Sequence, residues 1–235
     1  KDLGFTGAVG LTSTGTMTGS PLSVNAVAGV ATFTGIIHTA TGTGFTMTAT
    51  TTGLTATTSN AFDIVTVTVL LPGDFAIVAV NTSAESTGSA DEITFVSFKD
   101  ISVGTQIFLT DNGYERVTAG LWGNTEGIVS LTRTGSALPK GTFVTIHSQD
   151  GGIGDGTDFT ISVCGVEDTN WTKNEISATG KFDLNKDDQV WFTQGGAWTN
   201  VNTGSHNTAY SGNVLYGWTD IAWKTAPGYA STAGS

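Results

Sequence analysis

The chain has 235 residues, 32 of them Gly, with one Cys and only 12% charged side chains, about half the share usual in globular proteins. A single cysteine excludes a disulfide-stapled mini-protein. A formal charge of −11, from 20 acidic and 9 basic residues, excludes a protein that lives by gripping phosphate backbones.

No run of about eighteen apolar residues is present, so no membrane-spanning helix is expected, and no basic stretch followed by a short apolar one marks a signal peptide. The chain starts at Lys1 rather than Met, and is expected to be a processed product or a piece of a longer protein.

Residues 1–66 carry only Lys1, Asp2 and Asp63 as charges, and 19 of them are Thr. Residues 67–235 hold 18 acidic and 8 basic side chains, a net of −10. Two compositions in one chain predict two domains, divided in the apolar run from Asp63 to Pro72, with Pro72-Gly73 as the turn that follows. In the first part, short runs alternate apolar and small polar residues: Ala8-Val-Gly-Leu11, Leu22-Ser-Val-Asn-Ala26, Val30-Ala-Thr-Phe33 and Phe45-Thr-Met-Thr-Ala49. A period of two, rich in Thr and Val and punctuated by Gly, predicts half-buried strands, about six or seven of them, spaced as in a β-sandwich. Threonine hydroxyls would keep the outer faces wet without charge.

Four segments carry a resemblance: Phe5 to Ser13, Val24 to Phe33 with its strand pattern Gly29-Val-Ala-Thr-Phe33, Gly44-Phe-Thr-Met-Thr-Ala-Thr50, and Thr58 to Ile64. Together they resemble the bacterial immunoglobulin-like repeats of large surface adhesins, over nearly all of residues 1–66. The resemblance implies a spacer module in an exported protein.

In the second part the expected strands follow one another at 75–80, 92–98, 106–110, 127–132, 142–147, 189–193 and 213–217. None has the length or 3.6-residue period of a helix. Turn chemistry separates them at Asp111-Asn-Gly113, Leu138-Pro-Lys-Gly141 and Gln194-Gly-Gly196. The expected class is all-β, as two tandem β-sandwich, immunoglobulin-like domains. A second resemblance rests on Gly73 to Asn81, Ile101 to Gly113, Thr125 to Thr132 and Gly180 to Phe192. These segments are similar to a lamin-tail-like β domain found beside the catalytic part of secreted bacterial nucleases and in other exported surface proteins. That family implies export and an accessory role; no part of the chain matches the nucleases' separate catalytic unit.

No catalytic set is expected. A G-x-S-x-G elbow is missing, and His38, His147 and His206 stand far apart, with His147 at a strand end near Asp150 and read as solvated. Cys164, in Ile161-Ser-Val-Cys-Gly165, reads as a buried structural thiol. Zinc has neither C-x-x-C nor a close His pair to bind it. Calcium is the one ion the spacing favours: Asp183-x-Asn185-x-Asp187 repeats the oxygen spacing of an EF-hand start, although Asp188 stands where that loop needs Gly. Gly151 to Asp158 is similar to one copy of the calcium-binding nonapeptide.

All 6 Trp lie in the second part. Trp191 reads as core, whereas Trp198, Trp218 and Trp223 flank turns and are the candidates for stacking on sugar rings of a polysaccharide. The expected function is a structural or adhesive component of the bacterial surface, an adhesin, filament or surface-layer subunit. It would associate with copies of itself or with neighbouring surface proteins by strand addition, through Leu3 to Leu11 or the Thr-Val-Thr-Val-Leu-Leu run. The alternatives are an accessory region of a larger secreted nuclease or hydrolase, and a glycan-binding module.

Overall fold

The computed structural model describes residues 2–19, 22–81, 91–115, 120–123, 127–148, 159–177, 182, 184, 189–201 and 207–219. Among them the chain is all-β: strands in several antiparallel sheets, and no helix long and apolar enough to cross a membrane. It divides into two compact units, Lys1–Thr66 and Val67–Ser235.

The first unit holds β1 (Ala8–Ser13), β2 (Met17–Thr18), β3 (Ser23–Asn25), β4 (Ile37–His38), β5 (Gly42–Phe45), β6 (Met47–Thr50), β7 (Thr57–Thr58) and β8 (Phe62–Ile64). They form one sheet in the order β3-β1-β6-β7 and two strand pairs, β2-β4 and β5-β8. Two expectations change here. Val30-Ala-Thr-Phe33 is not a strand: Ala28 and Gly29 both take positive φ, which turns the chain back so that Val27 and Val30 bond only each other. Gly44 to Thr50 is not one strand either, because Gly44 sits at φ +70° and β5 and β6 join different sheets.

β1 pairs with β3 through Ala8–Gly10 and with β6 through Gly10–Ser13, so within the Leu3 to Leu11 segment the C-terminal part, Gly10 and Leu11, is already laddered to β6 in its own chain. Among the described residues of this unit only Ala26 is buried, while Leu3, Val27, Ile37 and Leu54 are exposed.

The second unit holds β9 (Phe75–Asn81), β10 (Glu92–Ser97), β11 (Gln106–Thr110), β12 (Tyr114–Glu115), β13 (Leu121–Trp122), β14 (Ile128–Arg133), β15 (Phe143–Ser148), β16 (Phe159–Val163), β17 (Val166–Glu167), β18 (Trp171–Ser177), β19 (Gln189–Gln194), β20 (Trp198–Thr199), β21 (Thr208–Tyr210) and β22 (Asn213–Thr219). Two five-stranded sheets, β17-β16-β15-β10-β9 and β18-β14-β11-β19-β22, share one apolar core. The period-two pattern explains it. Ile93 and Phe95 of β10 and Val144 and Ile146 of β15 face inward from the first sheet, and Ile107, Leu109, Val190 and Phe192 meet them from the second. Phe75 joins the layers, 4.7 Å from Phe95 and 4.7 Å from Phe192 by ring centroid. A third sheet, β12-β13-β21-β20, supplies side chains to the far side of β11 and β19, which is why β11 is buried on both faces.

Cys164 departs from expectation. β16 ends at Val163, and Cys164 (φ +49°) with Gly165 (φ +81°) forms the two-residue turn of the β16-β17 hairpin, which leaves the thiol exposed. Two consecutive positive φ values are what a twist-matched hairpin turn requires.

The run after residue 66 lies outside every ladder and is held by side chains. The Thr68 N–H donates to Thr105 Oγ1 (2.9 Å), and the Thr68 hydroxyl to Asp100 O (2.7 Å). Gln194 clasps the run from below: its Oε1 accepts from Leu70 N (2.6 Å) and its Nε2 donates to Thr68 O (2.9 Å). Leu70 is thereby sunk into the core at 0% exposure.

Candidate functional site

Because β19 alternates, Val190 and Phe192 point into the core while Gln189, Trp191 and Thr193 point away from it. Trp191 is therefore half-buried on the outer face, not in the core as the sequence suggested. There it meets rings brought by the small sheet. Trp122, 1% exposed, lies edge-on to Tyr114 (5.0 Å), Trp191 (5.3 Å) and Trp198 (5.3 Å). Trp198 stacks on Tyr210 at 4.4 Å, and Tyr210 in turn abuts Phe108 of β11 at 6.2 Å. Gln189 Oε1 accepts from the Trp191 indole N–H at 2.9 Å. Burial pushes the Tyr210 hydroxyl up to about 12, with the Thr193 hydroxyl opposing; the Tyr210 hydroxyl donates to Gly195 O at 2.8 Å.

Of the three tryptophans singled out for sugar stacking, Trp198 belongs to this cluster. Trp218, paired with inward-facing Val190, packs against the main core, and Trp223 lies outside the described residues. Trp198 and Trp218 thus do not share a face. The cluster's rings spend their edges and faces on one another, as in a satellite core. Among the described residues the buried Trp198 indole nitrogen has no hydrogen-bond partner.

Strand register makes a second constellation that sequence spacing does not show. Glu92 of β10 stands directly opposite His147 of β15, and Ser162 of β16 lies diagonally beyond it. His147 Nδ1 is 2.9 Å from Glu92 Oε1, and Nε2 is 2.8 Å from Ser162 Oγ. The imidazole expected to be solvated is bonded on both sides. Hydroxyl, imidazole and carboxylate stand in the order that nucleophilic hydrolases use.

The surroundings differ from those of a hydrolase nucleophile. Ser162 sits mid-strand between two ladder partners, Thr145 and Glu167, rather than on a strained elbow. The Glu167 carboxylate, directly opposite on the same face, would repel a developing oxyanion. These hydrogen bonds tie β10, β15 and β16 together. His147→Ala should cost about 1–2 kcal/mol, the net worth of two hydrogen bonds. Denaturant unfolding with an unchanged midpoint would remove the tie from the account.

The calcium candidates Asp183, Asn185, Asp187 and Asp188 lie outside the described residues, as do Asp150, His206 and the Gly151 to Asp158 stretch. Among the described residues no group of three or more His, Cys, Asp or Glu is arranged to hold a metal ion. His38 lies in the first unit between Phe45 (5.4 Å) and Phe62 (5.2 Å), with Nε2 3.3 Å from Ser13 Oγ. In a search of family models, of curated proteins and of solved structures, nothing matches this chain.

Proposed function

We propose that the chain is a structural or adhesive component of the bacterial cell surface, part of an adhesin, an extracellular filament or a surface layer. In this reading Lys1–Thr66 is an immunoglobulin-like spacer, and Val67–Ser235 is a lamin-tail-like β-sandwich that carries the contacts. The observation behind it is the contrast between the two units. The first buries only Ala26 among its described residues and leaves Leu3, Val27, Ile37 and Leu54 exposed. Its described charged side chains are only Asp2 and Asp63.

Such a surface suits packing against neighbouring modules, since a unit of this size with so thin a core draws stability from what it stacks on. The second unit has the continuous core a self-standing domain needs. If polysaccharide adhesion is part of the function, Trp198 and its unpartnered indole N–H are where it would be sought.

Antibodies raised against the chain should decorate intact, unpermeabilised producing cells in immunogold electron microscopy. Label that enters only after permeabilisation would overturn the surface reading.

A further inference from the structure

We propose that Val67–Val69 is a pairing edge through which two copies of this chain associate, each laying its segment antiparallel against the other's across a two-fold axis. The inference deepens the surface-component reading by naming the partner: a second copy. Exposure alternates as in an extended strand: Val67 (46%), Val69 (61%) and Leu71 (48%) face outward, and Leu70 (0%) faces in.

In an extended chain the backbone groups alternate as well, so the groups of Thr68 and Leu70 that are tied to Thr105 and Gln194 leave those of Val67 and Val69 pointing the opposite way. No partner takes the N–H of Val67 or of Val69 among the described residues. A groove of about 240 Å³ separates Val67–Val69 from Gln106, Gln194 and Asn213 on the side where Thr68 and Leu70 are tied to Gln194.

These open groups define a register. With the two-fold axis at Thr68, Val67 of one copy lies opposite Val69 of the other. Each such pair exchanges both N–H···O=C bonds, four in all, as the closely spaced pairs of an antiparallel ladder do. The same register sets valine against valine on the outer face, a favoured cross-strand pair.

Charge selects the same partner. Ile64 to Gly73 contains no ionisable side chain, in a region of the chain where residues 67–235 carry 18 acidic and 8 basic groups. A second acidic copy meets least repulsion here, whereas a foreign partner of opposite charge would find nothing to grip. One group guards the edge: Lys99 Nζ reaches Val69 O at 3.3 Å while paired to Asp74 Oδ2 at 2.7 Å. A lysine on an exposed edge limits pairing, so the association is weak and is released by removing that ammonium.

Sedimentation equilibrium of the full chain tests this. Wild type should rise from its 24.1 kDa monomer toward twice that mass as concentration increases. Val69→Pro, which deletes an open N–H, should stay monomeric. Val69→Lys, which keeps the backbone and adds a charge to the edge, should weaken pairing at least tenfold. Lys99→Met should tighten it by about tenfold or more, since the two-fold frees one acceptor in each copy.

A wild-type chain that remains monomeric to about millimolar concentration, or a Val69→Lys variant that pairs as well as wild type, would overturn the proposal. So would a monomer that binds the synthetic peptide Thr-Val-Thr-Val-Leu-Leu without self-pairing, since the edge would then serve a foreign strand. Surface label on cells together with a monomer in the centrifuge would overturn this pairing alone and leave the surface reading standing.

Discussion

Phe95→Ala is expected to destabilise the second unit by about 3–5 kcal/mol, the range for removing a large aromatic from a packed core. Phe95 is completely buried, and its ring touches three others: Phe75 stacked at 4.7 Å, Phe192 at 5.2 Å and Trp171 edge-on at 6.5 Å. Phe75 and Phe95 come from one five-stranded sheet, Phe192 and Trp171 from the other, so the cavity would open in the seam that holds the layers together.

Collapse of neighbours into the space is restricted because β10 is fixed between β9 and β15. A loss of that size is a large part of the ~5–15 kcal/mol that stabilises a typical domain. Chemical denaturation followed by tryptophan emission reads this unit alone, since all 6 Trp lie after residue 66. Phe45→Ala, in the first unit, should leave that transition in place. A shift below about 1.5 kcal/mol for Phe95→Ala would mean that the two sheets do not share one core.

What could be read from sequence follows from how each element is buried. The strands from β9 and β10 to β19 and β22 that line the core announce themselves, because inward Ile, Val, Leu and Phe alternate or run together between Gly, Asn and Pro turns. β18, Trp171-Thr-Lys-Asn-Glu-Ile-Ser177, does not: it is a sheet edge with one face wet, and its polar side chains read as loop. The two-residue strands of the small sheet are too short to show any period.

Sites depend on register, which pattern does not carry. Glu92, His147 and Ser162 each occupy an outward position on their strands, but only the pairing of β10 with β15 and of β15 with β16 brings them within hydrogen-bond reach. Trp191 could have been placed correctly, since one step from inward Val190 or Phe192 is outward by alternation alone. In the first unit Val30-Ala-Thr-Phe33 has strand composition, yet the tight reversal at Ala28-Gly29 leaves it no neighbour to pair with beyond Val27.

Asp168→Ala is expected to cost about 3 kcal/mol, the lower end of the range for stranding a buried charge. Arg133 has only 4% of its side chain exposed; its guanidinium bonds Asp168 Oδ2, its Nε donates to Ser136 O at 2.7 Å, and it lies 5.1 Å from the Trp171 ring. Removing the carboxylate leaves that cation against the core without its counter-charge. Arg133→Met removes the cation instead, and Asp168 keeps the Asn170 backbone and side-chain donors at 3.0 and 2.7 Å, so its cost should be smaller. Arg133→Met combined with Asp168→Ala should recover part of the loss, because an apolar pair has no charge to strand.

The pH dependence follows from the same contacts. Burial pushes the Asp168 carboxyl up, but the Arg133 guanidinium and the Asn170 donors outweigh it and hold the group below its ordinary 3.8. A carboxylate depressed in the folded state stabilises above its unfolded pKa and loses that contribution as pH falls through the folded one. The stability gap between wild type and Asp168→Ala should therefore be constant from about pH 7 to pH 5 and close below about pH 4. Asp74, lowered by its hydrogen bond from Lys99 and then by Leu71 N–H, titrates in the same direction, but its ion pair is largely exposed and adds little. A gap that persists unchanged to pH 2, or an Arg133→Met cost equal to that of Asp168→Ala, would show that packing on Trp171, and not the charge, is what the pair supplies.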